Sequence, residues 1–169
     1  MLDDRSKQIR RDIIKLSKAN GGYHFGGCFS CVEIMISLYD YVLTDLDTFI
    51  LSKGHAAPIL YSALNLAGAV SGNLLSLRKF GSMFEGHPIP SSFNWAKVAT
   101  RSLGQGLSVG VGMALAAKKT KSQYKVYCLL SDGECDEGSN WEALMTAHRW
   151  NLGNLTVLVN RNHHFTIGR

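Results

Sequence analysis

The feature of the sequence that most constrains the fold is a strand, helix and strand pattern in its last third. Residues 125–130 (KVYCLL) and 154–160 (NLTVLVN) are short apolar segments typical of strands. Between them, residues 138–151 (GSNWEALMTAHRWN) have the length and pattern of a helix. Two strands joined by such a crossover pair in parallel, with a right-handed connection. The chain is therefore predicted to be an α/β protein, a parallel sheet with helices on both faces.

The upstream part of the chain adds one strand and several helices to this prediction. TFILS (48–52) is a short buried strand. Apolar spacing, a proline at a helix start and glycines at helix ends predict the helices. These predicted helices cover 5–19, 32–43, 58–68 and 73–80, followed by a glycine loop that leads into a helix lined with small residues within 102–119.

Length and composition predict one folded domain over residues 1–169, since 46% of the residues are hydrophobic. The net charge is +5. No apolar stretch reaches the roughly 18 residues that a membrane helix needs, and the N-terminus lacks the apolar region of a secretory signal. We therefore expect a cytoplasmic protein with no membrane partner. Basic residues are scattered and do not form a face interleaved with aromatic residues, so nucleic acid is not an expected partner.

The four cysteines are predicted to be reduced thiols. Cys128 lies in an apolar strand, and no signal peptide directs the chain to an oxidising compartment. Cys28 and Cys31 form a CxxC motif, for which a redox or zinc role is the alternative. No second ligand pair follows at zinc-site spacing, which disfavours that role.

Polar residues follow the last two predicted strands. Asp132 comes just after the first of them and Asn162 just after the second. Because the carboxyl ends of adjacent parallel strands share a crevice, these side chains are expected to meet at a ligand site. Carboxylate and amide oxygens suit Mg²⁺ or Ca²⁺, with a diphosphate supplying further oxygens, and Gly133 would let the backbone approach a phosphate. The alternative is an ordinary Asp-Gly turn and an ordinary loop asparagine.

Five motifs occur in a consistent order along the chain. Four of them are His24-Phe25-Gly26, Lys53-Gly54-His55 at a strand end, Gly86-His87-Pro88 and Ser102-Leu103-Gly104-Gln105-Gly106. The fifth consists of Asp132-Gly133, Glu137-Gly138, Trp141-Glu142-Ala143 and Asn162. Together they resemble the motifs of the transketolase family: its first H-x-G, its strand-end GH, its GHP, its LGQG turn and its thiamine diphosphate motif.

The resemblance implies a thiamine diphosphate-binding fold with thiamine diphosphate and Mg²⁺ as cofactors. The side chains of Asp132 and Asn162 and the backbone carbonyl of His164 would bind Mg²⁺. The cofactor-binding residues would be Leu103, Gly104, Asp132, Gly133 and Asn162.

The resemblance also implies four catalytic residues. His24, His55 and His87 would bind substrate hydroxyls and move protons, which suits side chains that titrate near neutrality. Packed or surface histidines are the alternative. Glu137, together with Glu142, would link the two active sites of a dimer. The alternative for Glu137 is a helix-N-terminal acid favoured by the helix dipole.

The family places the glutamate that activates the cofactor in a second domain, which nothing in this sequence resembles. The chain also ends soon after the metal loop, so the diphosphate-binding domain is expected to be incomplete at its C-terminus. The resemblance therefore implies one subunit of a split transketolase-like transferase, inactive alone. It would pair with a chain carrying the pyrimidine-binding domain, self-associate into an α₂β₂ assembly, and transfer a two-carbon ketol unit between phosphorylated or activated sugars.

Three positions depart from the family pattern. Arg101 and Tyr23 stand where the family usually has glycine, and Ser131 replaces the first glycine of its GDG. Arg101 and Tyr23 favour an alternative, a catalytically inactive transketolase-like scaffold or regulatory subunit. A 2-oxo acid dehydrogenase α-subunit shares the metal motif, but the GHP and LGQG elements fit it less well.

Overall fold

A computed structural model describes residues 2–90 and 96–163 of the protein. Three parallel strands form one sheet in which the second strand is central. The α/β fold with a parallel sheet that the sequence predicts is confirmed. The strands are β1 (Thr48–Leu51), β2 (Val126–Ser131) and β3 (Leu155–Asn160).

Six α-helices occur in the described residues, and none of them combines the length and apolarity needed to cross a membrane. Four match predicted helices with shifts of a few residues at their ends. A short helix in the glycine-rich segment after residue 21 was not predicted. The helices are α1 (Leu2–Ala19), α2 (Phe25–Phe29), α3 (Val32–Ser37), α4 (Ala57–Leu66), α5 (Gln105–Thr120) and α6 (Gly138–Arg149).

Two predicted helices differ from the structure. The helix predicted over 73–80 is wrong: only one 3-10 turn forms, over Leu74–Ser76. The chain leaves the helical path at Arg78, which has a left-handed φ of 62° and donates its N–H to Phe84 O at 2.8 Å. The helix predicted over 32–43 is divided, because α3 gives way to a π-helical turn at Leu38–Val42.

The central strand β2 is buried along its whole length, and its side chains alternate between two cores. Tyr127 and Leu129 belong to a core formed with α1, α3 and α4. Val126, Cys128 and Leu130 belong to a second core formed with α5 and α6. Helices therefore cover both faces of the sheet, as predicted.

The four cysteines are free thiols in the structure, and three of them are buried. Burial raises the pKa of Cys28 to about 12 and also raises the pKa of Cys31. Since the thiolate is the reactive form, burial of both thiols and their raised pKa values disfavour the alternative redox or zinc role of the CxxC motif.

The first turn of α5 crosses the end of β1 in close contact. A Cβ atom at Gly106 would lie 2.4 Å from Ser52 Oγ and 2.9 Å from Ser52 Cα, whereas a Cβ atom at Gly112 of the same helix would meet nothing within 4 Å. Only glycine at residue 106 therefore allows α5 to approach the sheet this closely.

Gly106→Ala is expected to lower the free energy of unfolding by roughly 1–3 kcal/mol, because the methyl group forces α5 away from Ser52. The matched control Gly112→Ala is expected to raise it by about 0.5–1 kcal/mol, since alanine favours a helix interior over glycine. Urea denaturation of the parent and both variants measures the difference. Equal stabilities of the two variants would contradict the close contact at Gly106.

Candidate functional site

The carboxyl ends of β2 and β3 bring Asp132 and Asn162 together. Asp132 Oδ2 accepts from the N–H groups of Asn162 at 3.0 Å and His163 at 2.7 Å, and its Oδ1 accepts from Gly133 N at 3.1 Å. Burial opposes ionisation of Asp132, but these backbone N–H groups outweigh it and the pKa of Asp132 is lowered. Asp132 therefore presents a carboxylate at neutral pH.

The donor chemistry of these strand ends fits a divalent cation shared with a ligand. In the part of the chain that the structure describes, no group of three or more His, Cys, Asp or Glu side chains could hold a metal by itself. Asp132 contributes a carboxylate and Asn162 an amide, whose Nδ2 donates to Ser30 Oγ at 3.4 Å. Mg²⁺ typically takes few protein oxygens and completes its shell with phosphate and water, so the pair fits Mg²⁺. His164 lies outside the described residues.

A fully buried lysine lies beside the same strand ends. Lys53, two residues after β1, is 0% exposed, and its Nζ donates to Asn160 Oδ1 at 2.7 Å and to Gly27 O at 2.9 Å. No acidic side chain that the structure describes forms an ion pair with Lys53. Because its partners are neutral, Lys53 adds unbalanced positive charge that favours an anion nearby. In the sequence, Lys53 stands out only as part of the Lys53-Gly54-His55 motif; a lysine directly after a buried strand is the signal that could have identified it.

The turn before α5 is held by polar contacts from the segment that follows β2. Gly104 adopts a left-handed φ of 80°, and a Cβ atom there would lie 2.7 Å from Glu137 Cβ. Gly104 N donates to Glu134 Oε1 at 2.9 Å, and Ser139 Oγ donates to Gly104 O at 2.8 Å. The half-buried Leu103 precedes this glycine. The turn therefore lies close to the strand ends. Glu134, which holds it, was not among the site residues predicted from the sequence.

His24, His55 and His87, from three separate segments, line one cavity of about 980 Å³. The rings of His24 and His55 meet edge to face, with 5.9 Å between their centroids. Tyr23 lines the cavity as well, and its hydroxyl donates to Gly86 O, which ties the loop carrying His87 to the segment carrying His24. Glu137, in contrast, is an exposed residue at the start of α6 and does not line this cavity.

Burial and positive neighbours lower the pKa of two cavity histidines, His55 and His87. Burial, with contributions from Lys53, His24 and His87, lowers the pKa of His55 to about 4. Burial also lowers the pKa of His87, and the nearby groups Arg101, His24 and Arg78 lower it further. Neutral imidazole has one donor and one acceptor nitrogen, so His55 can both donate and accept a hydrogen bond at neutral pH.

Two arginines give the cavity a positive character. Arg78 and Arg101 line it together with Glu85, and neither arginine forms an ion pair with another described residue. The stem of Arg78 passes Gly86, where a Cβ atom would lie 3.4 Å from Arg78 Cγ. Unpaired guanidinium groups in a cavity favour anionic ligands.

The cavity and the strand ends adjoin through Gly27. Its carbonyl accepts from Lys53 Nζ, and a Cβ atom on Gly27 would lie 3.4 Å from His55 Nε2. One continuous region at the carboxyl edge of the sheet therefore contains the candidate metal ligands Asp132 and Asn162, the buried Lys53 and the three histidines. Open α/β sheets bind cofactors at this edge.

Comparison with known proteins identifies which cofactor-binding domain this is. The family described as transketolase, thiamine diphosphate binding domain, matches residues 7–168. Human transketolase is 42% identical over 95% of this chain and 27% of its own length. One subunit of the apulose-4-phosphate transketolase of Phocaeicola vulgatus is 39% identical over 95% of this chain and 60% of its own length. The chain belongs to the transketolase thiamine diphosphate-binding domain family, as its five motifs indicate.

Solved structures agree with this assignment. The crystal structure of transketolase from Campylobacter jejuni superposes with a TM-score of 0.90 at 29% identity, over 99% of this chain and 29% of that chain. The chain thus spans about a quarter of the length of the full-length transketolases that it matches.

The ring of His55 is expected to titrate with a midpoint near pH 4 and to stay neutral at physiological pH. As the pH falls below the ordinary histidine pKa of about 6.5, the unfolded chain takes up the proton first, so the contribution of His55 to stability is present above that pH and is lost towards pH 4. NMR titration of the histidine ring protons, assigned with a His55→Gln variant, measures the midpoint. A midpoint near 6.5 would contradict this account of the cavity.

Proposed function

We propose that this chain is the thiamine diphosphate- and Mg²⁺-binding part of a transketolase-like transferase that moves a two-carbon ketol unit between sugars. The observation that carries the proposal is the continuous region in which Asp132 and Asn162 adjoin a cavity lined by three histidines, in a chain of this family. The similarity to one subunit of a transketolase made of separate chains supports action as a single subunit. In this proposal the chain is inactive without a partner chain that supplies the pyrimidine-binding domain.

In this proposal the strand ends hold the cofactor. Thiamine diphosphate, when bound, supplies the carbanion chemistry of ketol transfer. The side chains of Asp132 and Asn162 and the backbone carbonyl of His164 bind Mg²⁺. The buried ammonium of Lys53 adds positive charge beside the same strand ends. The residues that line the cofactor are Leu103, Gly104, Asp132, Gly133 and Asn162.

The cavity binds the sugar. His24, His55 and His87 form hydrogen bonds with sugar hydroxyl groups and move protons to and from them, and the neutral His55 ring accepts a proton or hydrogen bond at its unprotonated nitrogen. Arg78 and Arg101 favour phosphorylated sugars, because guanidinium groups bind phosphate in a bidentate fashion.

Self-association into an α₂β₂ assembly is the proposed quaternary structure. Trp141 and Met145, four residues apart on α6, are 58% and 66% exposed, and Glu137 immediately precedes the helix and is also exposed. Exposed apolar side chains on one helix face are typical of an interface. Glu137, with Glu142, links two active sites across that interface in this proposal.

The four free thiols favour a reducing compartment, for which we propose the cytoplasm.

Mixing the chain with its partner chain, thiamine diphosphate and Mg²⁺ is expected to produce ketol transfer from a ketose phosphate to an aldose phosphate. Omitting either cofactor is expected to abolish the transfer, since Asp132 and Asn162 hold the metal only together with the diphosphate. A coupled assay of the aldose phosphate released from the donor measures the activity. Activity of the isolated chain, or no cofactor-dependent activity with the partner, would count against the proposal.

A catalytically inactive scaffold or regulatory subunit is the second candidate, because Arg101 enters the cavity where the family usually has glycine. Calorimetric titration of thiamine diphosphate into the reconstituted complex separates the two. The proposed enzyme gives Mg²⁺-dependent binding heat, whereas a scaffold gives none.

Asp132→Asn is expected to weaken thiamine diphosphate binding at least about tenfold, or about 1.4 kcal/mol, because the amide supplies no charge to Mg²⁺. The same calorimetric titration measures it. The matched control is Asp136→Asn, which removes an exposed carboxylate from the same turn and is expected to leave binding unchanged. Equal affinity of the two variants would show that Asp132 is not a metal ligand.

A further inference from the structure

A completely buried carboxylate joins three segments that meet at the proposed cofactor site. Glu134, in the turn after β2, is 0% exposed. Its Oε1 accepts from Ser52 Oγ and from Gly104 N at 2.9 Å, and its Oε2 accepts from Ser131 N at 3.3 Å. The three donors belong to the end of β1, the turn before α5 and the end of β2. A single carboxylate therefore sets the spacing of these segments.

The backbone of Glu134 is held as firmly as its side chain. Glu134 N donates to Ser131 Oγ at 3.2 Å, and Glu134 O accepts from Asn140 Nδ2 at 2.6 Å. Asn140 is itself buried within the first turn of α6. Because the backbone and the carboxylate are both bonded, Glu134 cannot shift without disturbing β2 or α6.

The bond from Gly104 to Glu134 determines how the preceding residue faces the site. The N–H of Gly104 and the C=O of Leu103 belong to one planar trans peptide and point in opposite directions. With the N–H directed into the protein towards Glu134, the Leu103 carbonyl is directed away from Glu134. The contact of Ser139 Oγ with Gly104 O, at 2.8 Å, fixes the next peptide as well.

We propose that Glu134 is a positioning residue of the cofactor site, which presents Leu103 and Gly104 to the cofactor at a set distance from Asp132 and Gly133. Glu134 is buried and does not touch the cofactor; it acts through the peptide of Leu103 and Gly104. This inference rests on the proposed function only in taking thiamine diphosphate as the cofactor.

The test is Glu134→Gln in the complex reconstituted with the partner chain. Glutamine keeps the shape of the side chain but replaces one acceptor oxygen with an NH₂ donor, which then faces either Ser131 N–H or the donors at Oε1. Residues that orient metal ligands from behind typically contribute about 10–100-fold to metal affinity or activity, and we expect a comparable effect of Glu134 on the cofactor. The dissociation constant of thiamine diphosphate with Mg²⁺ is expected to rise by about that factor, while kcat at saturating cofactor falls by only about two- to threefold.

Asp136→Asn, two residues along the same turn and exposed, is the matched control and is expected to leave the dissociation constant within about twofold of the parent. Ser52→Ala removes one of the three donors to Glu134 and leaves the carboxylate in place, so it serves if Glu134→Gln does not fold. Ser52→Ala is expected to raise the dissociation constant about threefold or more.

The inference is overturned if Glu134→Gln binds the cofactor with unchanged affinity, even if its thermal stability falls. If Glu134→Gln does not fold, unchanged affinity in Ser52→Ala overturns the inference in the same way. A parent complex that binds no thiamine diphosphate overturns the proposed function instead, and with it this inference. The two failures are therefore distinguishable by the binding heat of the parent.

Discussion

The parallel pairing of three strands is the constraint on which the rest of the structure depends. Because β1, β2 and β3 run in the same direction, their carboxyl ends lie at one edge of the sheet. The pairing of Ser131 with Asn160 sets Asp132 beside the segment that carries Asn162. Both faces of the central strand are buried by helices, so the register is fixed on both sides. Lys53, which follows β1, is brought to the same edge by the same geometry.

Charge is distributed unevenly over this edge. Asp132 supplies a carboxylate of lowered pKa, whereas Lys53, Arg78 and Arg101 supply positive groups that have no acidic partner among the described residues. A carboxylate suits a divalent cation and the positive groups suit an anion, so the combination matches a metal held together with a phosphate-bearing ligand. The lowered pKa of His55 fits the same surroundings, because burial and nearby positive charge both disfavour its protonation.

Sequence motifs predicted which polar residues lie near one another better than they predicted the helices around them. His24, His55 and His87 meet in one cavity, and the backbone N–H of Asn162 donates to the side chain of Asp132. Motifs at strand ends and glycine turns therefore predicted which segments meet. The local sequence does not show which of two nearby acidic residues is buried, so it did not distinguish Glu134 from the exposed Asp136. The prediction of a helix over 73–80 was wrong, because local apolar spacing carries no information about the backbone hydrogen bond from Arg78 to Phe84.

The sequence by itself determined the fold class and the family and predicted the site residues, because hydrophobic periodicity and glycine-containing motifs are local properties of the chain. Only the tertiary structure decided the surroundings of those residues. It showed that Lys53 and Glu134 are buried, that Glu137 lies outside the histidine cavity and that Arg101 lies within it. Burial, the spacing of charges and the direction of a peptide group arise from contacts between segments far apart in the chain, and local sequence patterns do not encode them.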